Sequence, residues 1–402
     1  MNDRAIGETH DDVEPCTLRE LVVYFLRLGS LGFGGPIALA GYMQRDLVER
    51  RRWISEQDYK EGLALAQLAP GPLAAQLAIY LGWVRGRLLG ATLVGVGFVI
   101  PSLVMVLALS VLYVRFGGLS WMAGAFYGIG AAVIAIIARS AVKLVRMTLA
   151  RDRLLWAVFA LNALVTAWTE SEIVWVFVTS GAAVMLLKAP PRSKSRSGAA
   201  LGVAPVWLLS GLHGPASAGT LSTMAWYFTQ AGAFVFGSGL AIVPFLYGGV
   251  VDEFRWLNER QFLDAVAVAM ITPGPVVITV AFIGYLVAGA AGAIVASLAT
   301  FLPCYLFTVV PAPHFRRFAQ NRTLKAFVDG VTAAATGAIA GAAFVLGKRA
   351  IFDVPTALIC LVTLGVLFKL KKAPEPLVIV AAGVIGFVVH SALGVDLGVV
   401  RE

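Results

Sequence analysis

From Leu18 to Pro72 the chain carries Tyr24-Phe25, Gly29, Phe33-Gly34-Gly35-Pro36, Arg52-Trp53, Glu56 and Pro70-Gly71-Pro72, in that order. The order returns from Leu221 to Pro275 as Tyr227-Phe228, Gly232, Phe236-Gly237-Ser238-Gly239, Arg255-Trp256, Glu259 and Pro273-Gly274-Pro275, a gapless shift of 203 positions. After a one-residue slip, Gly82 falls on Gly284 and Pro101 on Pro303. Chance likeness between apolar stretches supplies Ala and Leu matches, but not ordered Gly, Trp and Pro matches. The chain is an internal duplication.

What is duplicated follows from composition. Of 402 residues 59% are hydrophobic and only 14% charged, where a soluble domain is about a quarter charged. Mean hydropathy is +0.82 and glycines number 42, which fits a polytopic helical membrane protein. Single-span anchors, secreted domains and cytosolic enzymes are excluded. Cys16, Cys304 and Cys360 are far apart and odd in number, so no disulfide framework is implied. His10, His213, His314 and His390 are equally scattered, so no metal ligand pair is expected. The segment 1–19 is a polar, acidic tail without a signal-peptide pattern.

Apolar segments long enough to cross a bilayer lie at about 20–43, 61–84, 88–114, 121–142, 154–169 and 172–188. Six more follow at about 221–250, 262–285, 287–311, 326–347, 351–369 and 376–398, with a marginal thirteenth at 199–213. The expected units are thus 20–188 and 214–402, joined by a basic, Pro-rich linker at 189–213.

Thirty-two Lys and Arg against 23 Asp and Glu give a net charge of +9. In a soluble chain that would suggest nucleic acid; here the basic residues sit in short runs between apolar segments and act as a topology signal. Their pattern flips between the halves. The first loop of one half carries Arg45, Arg50, Arg51 and Arg52, where the corresponding loop of the other carries Asp252, Glu253 and Glu259. One half has Arg115 and then Arg139, Lys143, Arg146, Arg151 and Arg153; the other has Arg316, Arg317, Arg322 and Lys325 and then Lys348 and Arg349. Basic loops stay cytoplasmic, so the halves are expected in opposite orientations, as in secondary transporters. Arg255 and Arg260 break the pattern. Inversion also requires either that a Pro-broken segment is re-entrant or that 199–213 crosses.

Four Gly/Pro breaks interrupt these segments: Gly32 to Pro36, Ala69 to Pro72, Phe236 to Gly239 and Thr272 to Pro275. Two prolines flanking a glycine end one helix and start another. At bilayer depth such backbone is tolerated only in protein interior or beside a water-filled cavity. A half-helix N-terminus there offers free N–H groups and a positive dipole end to an anion. Simple kinks would explain one break; four at matching places indicate a binding site.

Side chains near the breaks extend the candidate set. Arg27 lies inside an apolar segment, where a charge marks a functional position, although snorkelling explains it equally well. Gln67, Gln76, Ser238, Thr272 and Thr279 could bond an oxyanion or a neighbouring helix. Glu61 and Asp264 occupy matching positions and are candidates for proton coupling, unless they serve only as favourable helix N-terminal charges. Trp53 and Trp256 suit interfacial anchors. No GxxxxGK[ST] occurs, so ATP is not expected as a direct energy source. No nucleophile, triad or metal cluster is present either, so neither enzyme activity nor a cofactor is expected.

Phe33-Gly34-Gly35-Pro36 followed about 35 residues later by Pro70-Gly71-Pro72, with Arg52-Trp53-Ile54-Ser55-Glu56 between them and the echo in the second half, resembles the chromate ion transporter family. The likeness covers nearly the whole chain and matches the long, two-domain members. It implies a multi-pass inner-membrane protein that exports chromate, confers chromate resistance and is driven by the membrane potential or proton gradient. It also implies a role for Gly34, Gly35, Pro36, Pro70, Gly71 and Pro72 and their counterparts Gly237, Ser238, Gly239, Pro273, Gly274 and Pro275. Where the first half has Gly34-Gly35-Pro36, the second has Gly237-Ser238-Gly239, which leaves one site or two open. Sulfate is a similar tetrahedral dianion, so a sulfate or other oxyanion transporter is an alternative, as is an anion channel of the same fold. The expected partners are the anion and the lipid bilayer, not nucleic acid, and a homodimer is left open.

Overall fold

The computed structural model describes residues 13–33, 35–116, 120–149, 152–169, 174–189, 218–235, 242–315, 322–351, 353–369 and 375–393. Every regular element among them is helical. The first half comprises α1 (Leu18–Leu31), α2 (Gly35–Met43, continuing as a π-helical turn, Gln44–Arg50), α3 (Glu56–Leu68), α4 (Leu73–Phe116), α5 (Ser120–Thr148), α6 (Arg153–Thr169) and α7 (Val174–Lys188). The second repeats it: α8 (Ala218–Phe234), α9 (Ile242–Tyr247 with a π-helical turn, Gly248–Glu253), α10 (Glu259–Ile271), α11 (Thr279–Val309), α12 (Arg322–Ala350), α13 (Val354–Lys369) and α14 (Glu375–Leu393). Four helical stretches are long and apolar enough to cross a membrane: Leu73–Phe116, Gly124–Lys143, Val276–His314 and Lys325–Lys348. Shorter apolar helices accompany them at Arg153–Thr169, Val176–Lys188, Val354–Lys369 and Pro376–Val389.

The Gly/Pro breaks of the first half are tips of hairpins. α3 has 13 residues, about 20 Å at 1.5 Å per residue, too short for a hydrocarbon core of about 30 Å. Its Gly62 packs on Tyr80 and Leu77 of α4, and the Tyr80 hydroxyl donates to Glu61 at 3.4 Å. The chain thus folds back on itself around Pro70-Gly71-Pro72. α1 and α2 also return: the Glu14 N–H donates to the Arg52 carbonyl at 2.8 Å, and the Arg51 guanidinium lies over the Tyr24 ring. The Arg85 guanidinium closes both hairpins onto one face by donating to the Glu14 and Trp53 carbonyls. The segments at 20–43 and 61–84 are therefore out-and-back hairpins, the re-entrant alternative left open by the sequence. In the second half Tyr227 donates to the Phe245 carbonyl at 2.8 Å and packs against Phe254 and Trp256.

A reversal at Gly86 (φ −143°) and Arg87 (φ 50°) then launches the long outward run of α4. Ala288 (φ −143°) and Gly289 (φ 63°) make the same reversal in α11. Gly82 abuts Gly90 across the first turn, and Gly284 abuts Gly292 across the second. Small residues allow this backbone-to-backbone approach, and tight packing is the main attraction between helices in lipid.

The halves are inverted. Thr92, just after the turn of α4, meets the Tyr305 hydroxyl near the end of α11 at 2.7 Å. Tyr113, near the end of α4, stacks edge-on against Phe282, close to the turn of α11. The two helices run antiparallel, so matching hairpins open to opposite faces. The remaining helices interlock across the same two-fold relation: α5 packs on α13 and α14, while α12 packs on α6 and α7. Lys188 at the end of α7 pairs with Asp152 on the first face. Tyr127, near the start of α5, donates to Asp353 on the second face at 2.5 Å. Beyond Ala189, the linker at 189–213 and the marginal segment at 199–213 within it lie outside the described residues.

Candidate functional site

The two Pro-Gly-Pro tips and the ends of α1 and α8 meet where the halves cross. The Gly71 N–H donates to the Val235 carbonyl at 2.5 Å, and the Gly274 N–H donates to the Gly32 carbonyl at 3.0 Å. Gly71 matches Gly274, and Gly32 matches Val235, so each Pro-Gly-Pro tip is bonded to the broken-helix end of the other half. Both glycines take positive φ, +141° and +101°. The Ser102 hydroxyl of α4 donates to the Pro273 carbonyl at 2.8 Å and lies 3.4 Å from that of Gly29. Gln76 is fully buried beneath the other tip and donates through Nε2 to the Pro70 carbonyl at 2.7 Å.

The sequence candidates distribute unevenly over this site. Gly35 and Pro36 open α2 half-buried, with Gly35 at φ +75°. Pro70 is half-buried, whereas Gly71, Pro72, Pro273, Gly274 and Pro275 are buried. Thr272 is buried, and its hydroxyl is engaged by the Val268 carbonyl at 2.7 Å; Thr279 likewise bonds the Val276 carbonyl. Gln67 is exposed at the end of α3. Arg27 stands on the exposed stripe of α1 with Val23 and Leu31, and the tip-to-tip bonds do not involve it. Gly34, Gly237, Ser238 and Gly239 lie outside the described residues. Ser102 was not a sequence candidate; its signal is its place after Pro101, where the second half has Cys304 after Pro303.

Glu61 and Asp264 match in sequence but differ in setting. Glu61 is half-buried and takes hydrogen bonds from Gln57 (3.1 Å) and Tyr80 (3.4 Å) of its own hairpin. Asp264 is only 4% exposed and accepts from the Tyr113 hydroxyl of the other half at 2.7 Å. Around them the two hairpins also differ. α3 keeps Gln57, Lys60 and Gln67 exposed along one side, while the α10 stretch 264–270 is buried. The membrane-facing surface of α4 instead exposes Leu93, Val96, Ile100 and Val104. The open side of α3 is therefore suited to water, and it ends at the Pro-Gly-Pro tip.

Opposed re-entrant hairpins in an inverted repeat, with irregular backbone at their meeting point, are features of polytopic membrane transporters. The family model for chromate transporters matches twice, at residues 19–185 and 222–387. The chain belongs to the chromate transporter family. It is 61% identical to a chromate transport protein of Cupriavidus metallidurans over 97% of each chain. It is 57% identical to a probable chromate transport protein of Synechococcus elongatus, covering 93% of this chain and 96% of the relative. A chromate transport protein of Pseudomonas aeruginosa is 31% identical over 94% of each. No solved structure matches.

Proposed function

We propose that this chain exports chromate from the cytoplasm across the inner membrane, binding the dianion where the Pro-Gly-Pro tips meet the ends of α1 and α8. The observation that carries this reading is the reciprocal bonding of the tips, Gly71 to Val235 and Gly274 to Gly32. It brings helix ends from both halves to one place, beside the polar open side of α3. Gly35, Pro36 and Pro70 border that place, with Thr272 to Pro275 behind them. Free N–H groups at the start of α2 supply donors and a positive dipole end for the anion. Units 20–188 and 214–402, with 189–213 as their linker, meet at this point.

Orientation follows from charge. The face holding Arg50, Arg51, Arg85, Arg87, Lys188 and Lys325 is the cytoplasmic one, because basic loops stay inside. Moving two negative charges outward across an inside-negative membrane is favourable by about 2 × 2.3 kcal/mol per 100 mV. The potential alone therefore suffices to drive export, and proton coupling through Glu61 or Asp264 is an addition rather than a requirement.

Everted vesicles test the reading directly. Chromate uptake is expected to rise with an interior-positive potential, and to persist at a fivefold excess of unlabelled sulfate. Uptake indifferent to both potential and pH gradient would remove export; full competition by sulfate would reassign the substrate to oxyanions in general.

A further inference from the structure

The two ends of this inverted repeat are not chemically equal. Tyr113-Val114-Arg115-Phe116 at the end of α4 matches Phe315-Arg316-Arg317-Phe318 in the second half, continuing the register set by Pro101 and Pro303. Tyr113 packs against Phe282 in the hairpin of the other half, and Phe315 is buried in an apolar cluster made mostly of first-half residues, Tyr59 and Leu65 among them. Only Tyr113 has a hydroxyl, and it is spent on Asp264 at 2.7 Å. The hairpin it holds is the buried one, with Ala267 at 1% exposure, whereas the matching Ala64 of α3 is half-exposed.

We propose that Tyr113 latches the second face closed through Asp264, and that Phe315 leaves the first face without such a latch. The chain consequently rests open toward its basic face, ready to receive an anion from that side. When the halves exchange conformations, the Tyr113–Asp264 bond breaks, and Phe315 has no hydroxyl with which to make the matching bond to the α3 hairpin. Tyr113 is thus a positioning residue for the transport cycle. The proposal rests on alternating access, and it adds which state is favoured and which bond favours it.

Site-directed labelling separates the two ideas. In a chain with Cys16, Cys304 and Cys360 replaced, Ala64→Cys or Ala267→Cys is exposed to a membrane-impermeant maleimide in vesicles of both orientations. The parent labels at 64 from the basic face and is protected at 267. Tyr113→Phe is expected to shift the ratio of labelling at 267 to that at 64 upward by roughly tenfold, the scale of one hydrogen bond to a charged group. Phe315→Tyr, which offers Glu61 a matching hydroxyl, shifts the ratio in the same direction without touching the Tyr113 bond. Unchanged ratios in both variants, in vesicles where chromate still moves the parent's ratio, overturn the latch and leave alternating access standing. A parent ratio that chromate does not move overturns both.

Discussion

Gly274 sits at φ +101° with its N–H on the Gly32 carbonyl, and a Cβ there would run into the Ser102 hydroxyl. Two independent penalties therefore meet in Gly274→Ala: backbone strain of about 1–3 kcal/mol and overpacking of similar size. We expect a loss of about 3 kcal/mol in detergent-solubilised protein, read as a lower thermal midpoint. Adding Ser102→Gly should recover the steric part and leave the strain; no recovery would show that φ alone sets the cost. The importance of the Pro-Gly-Pro glycines was legible in sequence, because only a glycine between two prolines makes sense at a tip. Ser102 was not legible, since one serine in an apolar helix more often bonds its own preceding turn, as Ser110 does with Val106. Arg27 shows the reverse: its charge drew attention in sequence, but its helical position turns it to the exposed stripe of α1.

The short hairpins explain why element boundaries were easier to read than element directions. Apolar stretches ending near 84 and restarting near 88 mark the reversal at Gly86-Arg87, yet an apolar run broken by Gly and Pro looks alike whether it kinks onward or folds back. Contacts such as Gly62 with Tyr80 decide this, and periodicity carries no record of them. The reversals themselves make an internal control. Arg87 and Gly289 share one conformation, φ 50°, ψ −138° against φ 63°, ψ −152°, which a side chain resists. No neighbour crowds Gly289, so Gly289→Ala should cost about 2 kcal/mol from strain alone. Arg87→Gly should stabilise by about 1 kcal/mol, because relief of strain outweighs the stacking of Arg87 over Trp83 at 4.7 Å. Thermal unfolding of the two variants checks the pair: midpoints moving the same way would refute strain as the shared cause.

At the scale of the whole molecule, charge and geometry reach the inverted repeat by separate routes. The basic runs flip sides between halves because loops carrying Lys and Arg are retained in the cytoplasm, whereas the antiparallel pairing of Thr92 with Tyr305 and Tyr113 with Phe282 is a matter of packing. The two agree: Arg85, Arg87, Lys188 and Lys325 collect on the face where the first hairpins open, and Asp252, Glu253 and Asp353 on the other. Arg255, an exception in the charge pattern, takes φ 50° in the turn before Trp256, as Arg52 does before Trp53. A direct consequence concerns Leu88 and Ala290, matching residues just beyond the two reversals and both exposed. As single cysteines, Leu88→Cys should react with an impermeant maleimide only in everted vesicles, and Ala290→Cys only in intact cells. Neither position lies at a tip, so transport should survive in both, and labelling of the two from one side would mean that the halves are parallel and that the flipped charge pattern has another origin.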